Sequence, residues 1–183
     1  MTLDDWEARV AALWKIAPEL APGELVARAD HLAAERAADD AAALFERAAA
    51  RDTAGFEAEA EHLYRRALGC EDLDAYRRSR ATIQLGSTLR LLGRLEESEK
   101  LLVDELDRHL QPGNPRALHD EARAILALTY VAQGRATEAA GLAIVTLAPH
   151  LSRYQRSMAR NAAELVAKMA QEYRAAKARI CAS

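Results

Sequence analysis

The sequence predicts an all-α protein, a right-handed stack of antiparallel helix pairs with about nine helices, and three observations carry that prediction. Between Ala81 and Leu110 the core-facing residues recur at helical spacing in two runs. Thr82, Leu85, Gly86 and Leu89 form the first, Leu95, Ser98, Leu101, Leu102, Leu106 and Leu110 the second, and Gly93 lies between them. Neither face can be buried alone. The pattern then recurs, with Gly134 lying 134 − 93 = 41 residues after Gly93 and Gly55 lying 93 − 55 = 38 residues before it; such self-similarity marks a stacked helical repeat. The flanking segments are amphipathic too, as the open ends of a stack require.

Taken in order, Thr2 and Asp5 have the spacing of a capping box, and Trp6, Val10, Leu13 and Trp14 mark a helix from Leu3 to Lys15. Pro18 and Pro22-Gly23 end it, and Leu25, Ala29, Leu32 and Ala33 define a second helix over Glu24–Arg36. Residues 1–38 are thus read as an N-terminal cap. Three repeats fill residues 39–151, with helices at Asp39–Asp52 and Gly55–Leu68, Asp74–Leu92 and Leu95–Leu110, and Pro115–Gln133 and Arg135–Leu147. Pro112-Gly113-Asn114-Pro115 is a strong break. After Pro149, the spacing of Tyr154, Met158, Ala162, Leu165, Met169, Tyr173 and Ala176 gives one long capping helix from Ser152, fraying after Lys177, within a single domain of residues 1–183.

The central unit resembles the tetratricopeptide repeat. Leu85-Gly86, Leu89, Gly93, Ser98, Leu102 and Pro112 stand where that motif has a Leu-Gly pair, a large residue, a turn glycine, a small residue, a large apolar residue and a closing proline. Leu126-Ala127, Tyr130, Gly134 and Ala139 repeat the match downstream, and Ala48, Gly55, Ala60, Tyr64 and Ala67-Leu68 upstream. Ser98 and Glu105 replace alanines of the motif, and Arg47 and Arg51 fall where the first repeat should be apolar. The runs Leu44–Ala48, Ala58–Leu68, Ile83–Arg90 and Leu147–Tyr154 are similar to a bacterial subgroup of small tetratricopeptide proteins sometimes called group five, over about Glu24 to Arg160. The resemblance implies a protein-binding scaffold and transfers no catalytic residue.

Composition narrows the function further. A formal net charge of −3, from 25 Lys+Arg and 28 Asp+Glu, argues against general affinity for nucleic acid or anionic membrane. No apolar run approaches the roughly 18 residues of a membrane span, and Met1–Asp5 lacks the basic start of a secretory signal, so the cytoplasm is expected. Abundant Ala and Arg suggest a GC-rich bacterial genome. Cys70 and Cys181 form no paired motif. Glu59 and His62 have Glu-x-x-His spacing but no second such pair, and His109 and His119 flank the proline loop without the ligand set of a zinc site. Ser87 lacks an activating histidine, and no phosphate-binding glycine loop exists, so neither a cofactor, a metal nor an enzymatic activity is expected.

A partner is expected instead on the concave face, which in the resembling family is lined by the first helix of each repeat. Arg77, Arg78, Arg80, Arg90 and Arg94 occur between Ala75 and Leu95 with no acid, so that face should be basic. Arg80, Gln84, Ser87 and Arg90 form the expected peptide site, with Phe45 from the preceding repeat and Arg156 and Arg160 from the final helix beside them. The alternative is a homodimer made through Trp6, Trp14 or the final helix. The first helix of the third repeat is apolar nearly all round and should be covered by that final helix.

Overall fold

The computed structural model describes residues 3–111 and 117–181, and over them the chain is helical with no strand. The helices are α1 (Leu3–Ile16), α2 (Pro22–Ala33), α3 (Ala41–Ala54), α4 (Glu57–Gly69), α5 (Ala75–Leu91), α6 (Leu95–Leu110), α7 (His119–Ala132), α8 (Ala136–Leu147) and α9 (Gln155–Cys181). Short 3-10 turns lie at Ala17–Glu19 and Ala148–His150. From α1 to α9 each helix packs on the next, and α5 also packs on α3 and on α7, so alternate helices line one face of a stack of pairs. Thr2 and the break at Pro112–Pro115 lie outside the described residues; α7 begins at His119. The last helix starts three residues later than the prolines suggest, because Tyr154 takes a left-handed φ of 65° and Gln155 Nε2 caps the carbonyls of Pro149 and Leu151. It then continues beyond Lys177 to Cys181.

The turn glycines build the repeat. Gly55, Gly93 and Gly134 have φ of 80°, 76° and 77°, a conformation in which a Cβ is strained. The next residue's N–H reaches back to the carbonyl of Arg51, Leu89 or Tyr130 at 2.9, 2.9 and 2.8 Å, closing each helix in the same way. Arg94 and Arg135 follow two of these glycines, and each grips a glutamate of its own helix and one of the preceding pair. Arg94 holds Glu97 and Glu61, and Arg135 holds Glu138 and Glu99. A local turn thereby also sets how pairs stack.

Between α5 and α6, Gly86 faces fully buried Leu102, and Ser98 Oγ donates to the Gly86 carbonyl at 2.6 Å, so the two backbones pack closely. Ser98 is small enough for the motif's alanine site, and its hydroxyl also meets Thr129 of α7 at 3.0 Å. Glu105 is a larger departure, a buried carboxylate where the motif has alanine. It is matched by Arg108 at 2.5 Å, Ser79 Oγ at 2.6 Å and His109 Nε2 at 2.9 Å.

Arg47 and Arg51, anomalous by sequence, have a structural task. Both hold Asp30 of α2 at 2.9 Å, fastening the first two helices to the stack. Trp6 packs inside that junction, only 1% exposed, with its indole N–H on the Leu32 carbonyl, and Trp14 donates to Glu46 of α3. Trp6 is therefore a core residue, which removes it as a dimer contact.

The far end differs from the sequence-based expectation. α9 packs on α8 and the preceding 3-10 turn, where Gly141 lets Ala162 and Val166 approach, and not over α7. Leu128 and Val131 of α7 consequently remain 48% and 56% exposed. The small face of α8 decides which side the last helix takes.

Candidate functional site

The candidate site is the α5 surface within the row α3, α5 and α7. Asp74 caps α5 by accepting the Arg77 N–H at 2.8 Å, which starts the helix so that its arginines fan out over neighbouring elements. Their fates separate sharply. Arg77 bonds Glu7, Glu46 and Asp74, and Arg78 donates to the carbonyls of Leu68 and Cys70 at 2.8 and 2.6 Å. With Arg94 also paired, three of the five arginines hold helices together. The uniformly basic face is thus corrected: acids absent from α5 itself arrive from α1, α3, α4 and α6.

Arg80 and Arg90 are the exceptions, with no carboxylate at ion-pair distance among the described residues. Arg80 lies over the ring of Phe45 at 4.9 Å and within 5.9 Å of the Tyr76 ring, a geometry in which the cation faces π electrons. Arg90 reaches Ser87 Oγ at 3.5 Å, the outer limit of a hydrogen bond, while its Nε is buried without a partner. Gln84 Oε1 is buried and unpartnered in the same way. The face therefore carries two cations and unsatisfied hydrogen-bonding capacity.

Beside them lies a carboxylate that sequence reading did not single out. Asp52 of α3 accepts from Thr88 Oγ1 at 2.9 Å and from Tyr64 OH at 3.4 Å, and burial raises its pKa above the usual aspartate value despite those two donors. Tyr64 is pushed up as well, by burial and by the Asp52 charge. Only folding brings Asp52 and Thr88 together, 36 residues apart.

Phe45 needs correction. It is 0% exposed, packed against Tyr64 with ring centroids 6.2 Å apart, so it supports Arg80 from beneath and cannot itself touch a ligand. Arg156 and Arg160 are exposed on α9, and the packing of α9 on α8 does not bring them to the α5 residues. Tyr76, 51% exposed and one helical turn before Arg80, takes the aromatic place proposed for Phe45, and its i, i+4 spacing was the available signal.

The other polar candidates are occupied or enclosed. Glu59 accepts from Arg51 Nε at 3.0 Å, and His109, fully buried, lies 5.7 Å from the His119 ring between centroids. Among the described residues, no cluster of three or more His, Cys, Asp or Glu side chains could hold a metal ion, and no helix is long and apolar enough to cross a membrane.

A family model described as Tetratrico peptide repeat matches residues 41–165, from the first residue of α3 into α9. No curated protein and no solved structure matches the chain. The matched span covers well over half the sequence and coincides with the glycine-closed helix pairs, and the chain belongs to the tetratricopeptide repeat family.

Proposed function

We propose that this protein is a non-enzymatic binding scaffold whose α5 face takes an extended acidic peptide or protein segment through Arg80, Gln84, Ser87 and Arg90. The observation that carries the reading is the contrast between the helix-holding arginines and Arg80 and Arg90, which keep their charge available beside a buried Arg90 Nε and Gln84 Oε1. A guanidinium binds a carboxylate bidentately, and Gln84 supplies a donor and an acceptor for a peptide backbone. Ten residues of helix separate the two arginines, a rise of about 15 Å, which an extended chain covers in roughly four or five residues. The ligand is thus a segment with two carboxylates at about that spacing.

The test is fluorescence anisotropy with a labelled peptide carrying two aspartates four residues apart, against the same peptide with asparagines. Arg80→Ala or Arg90→Ala should weaken binding about tenfold or more, the usual worth of a charge-assisted hydrogen bond, and added salt should weaken it too. Lys100→Ala on α6, 78% exposed, serves as control. Equal affinity for both peptides, or no loss in either arginine variant, would dismiss the site.

A further inference from the structure

The third pair leaves a helix seat empty. The glycine register of 41 residues carries Leu95, Glu99, Leu102 and Leu106 of α6 onto Ala136, Ala140, Ala143 and Leu147 of α8. In the second pair these positions hold α7: Gln133 Nε2 bonds the Leu95 carbonyl and Glu99, Arg135 bonds Glu99 at 2.8 Å, and Leu102 is fully buried. On α8 the equivalent positions are all exposed and all apolar, and with Leu128 and Val131 of α7 they line an open groove of about 650 Å³. Ion-pairing Glu99 has become Ala140, and an acidic peptide finds no polar group there to bond. What fits is an apolar helix stripe, the same kind of element that the preceding seats accept.

We propose that this groove receives the C-terminal half of α9 from a second copy of the chain, in a reciprocal exchange about a twofold axis. α9 has 27 residues and α8 only 12, so at about 1.5 Å per residue α9 is more than twice as long. Its first half is used where Ala162 and Val166 meet Gly141, and the remainder runs past the start of α8. The apolar spacing does not stop there: Leu165, Met169, Tyr173 and Ala176 continue it in sequence. One molecule thus carries an overhanging amphipathic helix and, on another side of α8, a vacant seat for one. Because its first half is committed to the Gly141 side, the helix does not fill its own seat. A twofold pair satisfies both elements twice and closes the assembly, whereas a one-way exchange would grow a chain.

The experiment is light scattering after size exclusion over a wide range of concentration, with helical circular dichroism as the fold control. Wild type should rise to twice 20.1 kDa. Val131→Glu should shift it back to the monomer without loss of helix, since that side chain is already 56% exposed; Leu147→Glu, at 54% exposed, is a second seat variant. Tyr173→Asp on the donated helix should have the same effect. A wild-type monomer at every concentration would overturn the proposal, as would a dimer insensitive to the seat variants. A dimer broken by Val131→Glu but untouched by Tyr173→Asp would mean that two seats pack face to face, and would overturn it equally.

Discussion

Replacing Gly86 by alanine tests the closest approach in the stack. A Cβ there would lie 2.7 Å from Leu102 Cγ and 2.8 Å from its Cδ2, about 1 Å inside the optimal carbon–carbon separation. The nearest atom is the branch point of a fully buried side chain, so relief requires α6 to move away. Overpacking of this kind costs about 1–3 kcal/mol, while replacing a helical glycine by alanine gains about 1 kcal/mol of propensity. The expected net is a loss of up to about 2 kcal/mol, or a Tm lowered by roughly 2–4 °C per kcal/mol in a chain this size. Urea unfolding followed by circular dichroism measures it. Leu102→Ala alone should cost about 2–5 kcal/mol through its cavity, and the double variant should lose less than the two single losses together, because the new methyl occupies part of the space vacated. A Gly86→Ala protein stabilised by the full propensity gain, or strict additivity in the cycle, would refute the reasoning.

Two further predictions probe turn and charge. Gly93→Ala meets no atom within 4 Å but must hold φ near +76°, so it should lose about 1–2 kcal/mol, whereas Gly69→Ala, equally open and without positive φ, should not; thermal unfolding of the two distinguishes strain from crowding. Asp52 has a folded pKa raised by burial, so the folded state binds its proton more tightly, and its contribution is favourable below the unfolded aspartate value and is lost as pH rises through the folded one. Asp52→Asn keeps an acceptor for Thr88 and Tyr64, so it should gain stability relative to wild type as pH is raised from the aspartate range to neutrality, in parallel urea titrations. A difference that stays constant over that range would show that Asp52 does not titrate differently on folding.

The legible part of this protein is what neighbouring residues decide among themselves. Helical spacing from Leu95 to Leu110 returned α6 with those same end residues, and Gly55, Gly93 and Gly134 announced the three turns because a left-handed closure depends on one residue's lack of a Cβ. Gly86 was readable as a close approach for the same reason, although its partner Leu102 needed the fold. Half of the candidate site was legible too: Arg80, Gln84, Ser87 and Arg90 share one helix, so their common surface follows from spacing alone.

Partnership across the stack was not legible, because it depends on which distant side chain arrives opposite. Sequence made five arginines look alike; tertiary structure committed Arg77, Arg78 and Arg94 to holding helices and left Arg80 and Arg90 with their charge available. It also buried Phe45 beneath Arg80, brought Asp52 to Thr88, and turned Arg47 and Arg51 from misfits into the clamp on Asp30. The side of α8 taken by α9 was decided where Gly141 meets Val166, and α7 stayed open because periodicity marks a face as apolar without naming what covers it.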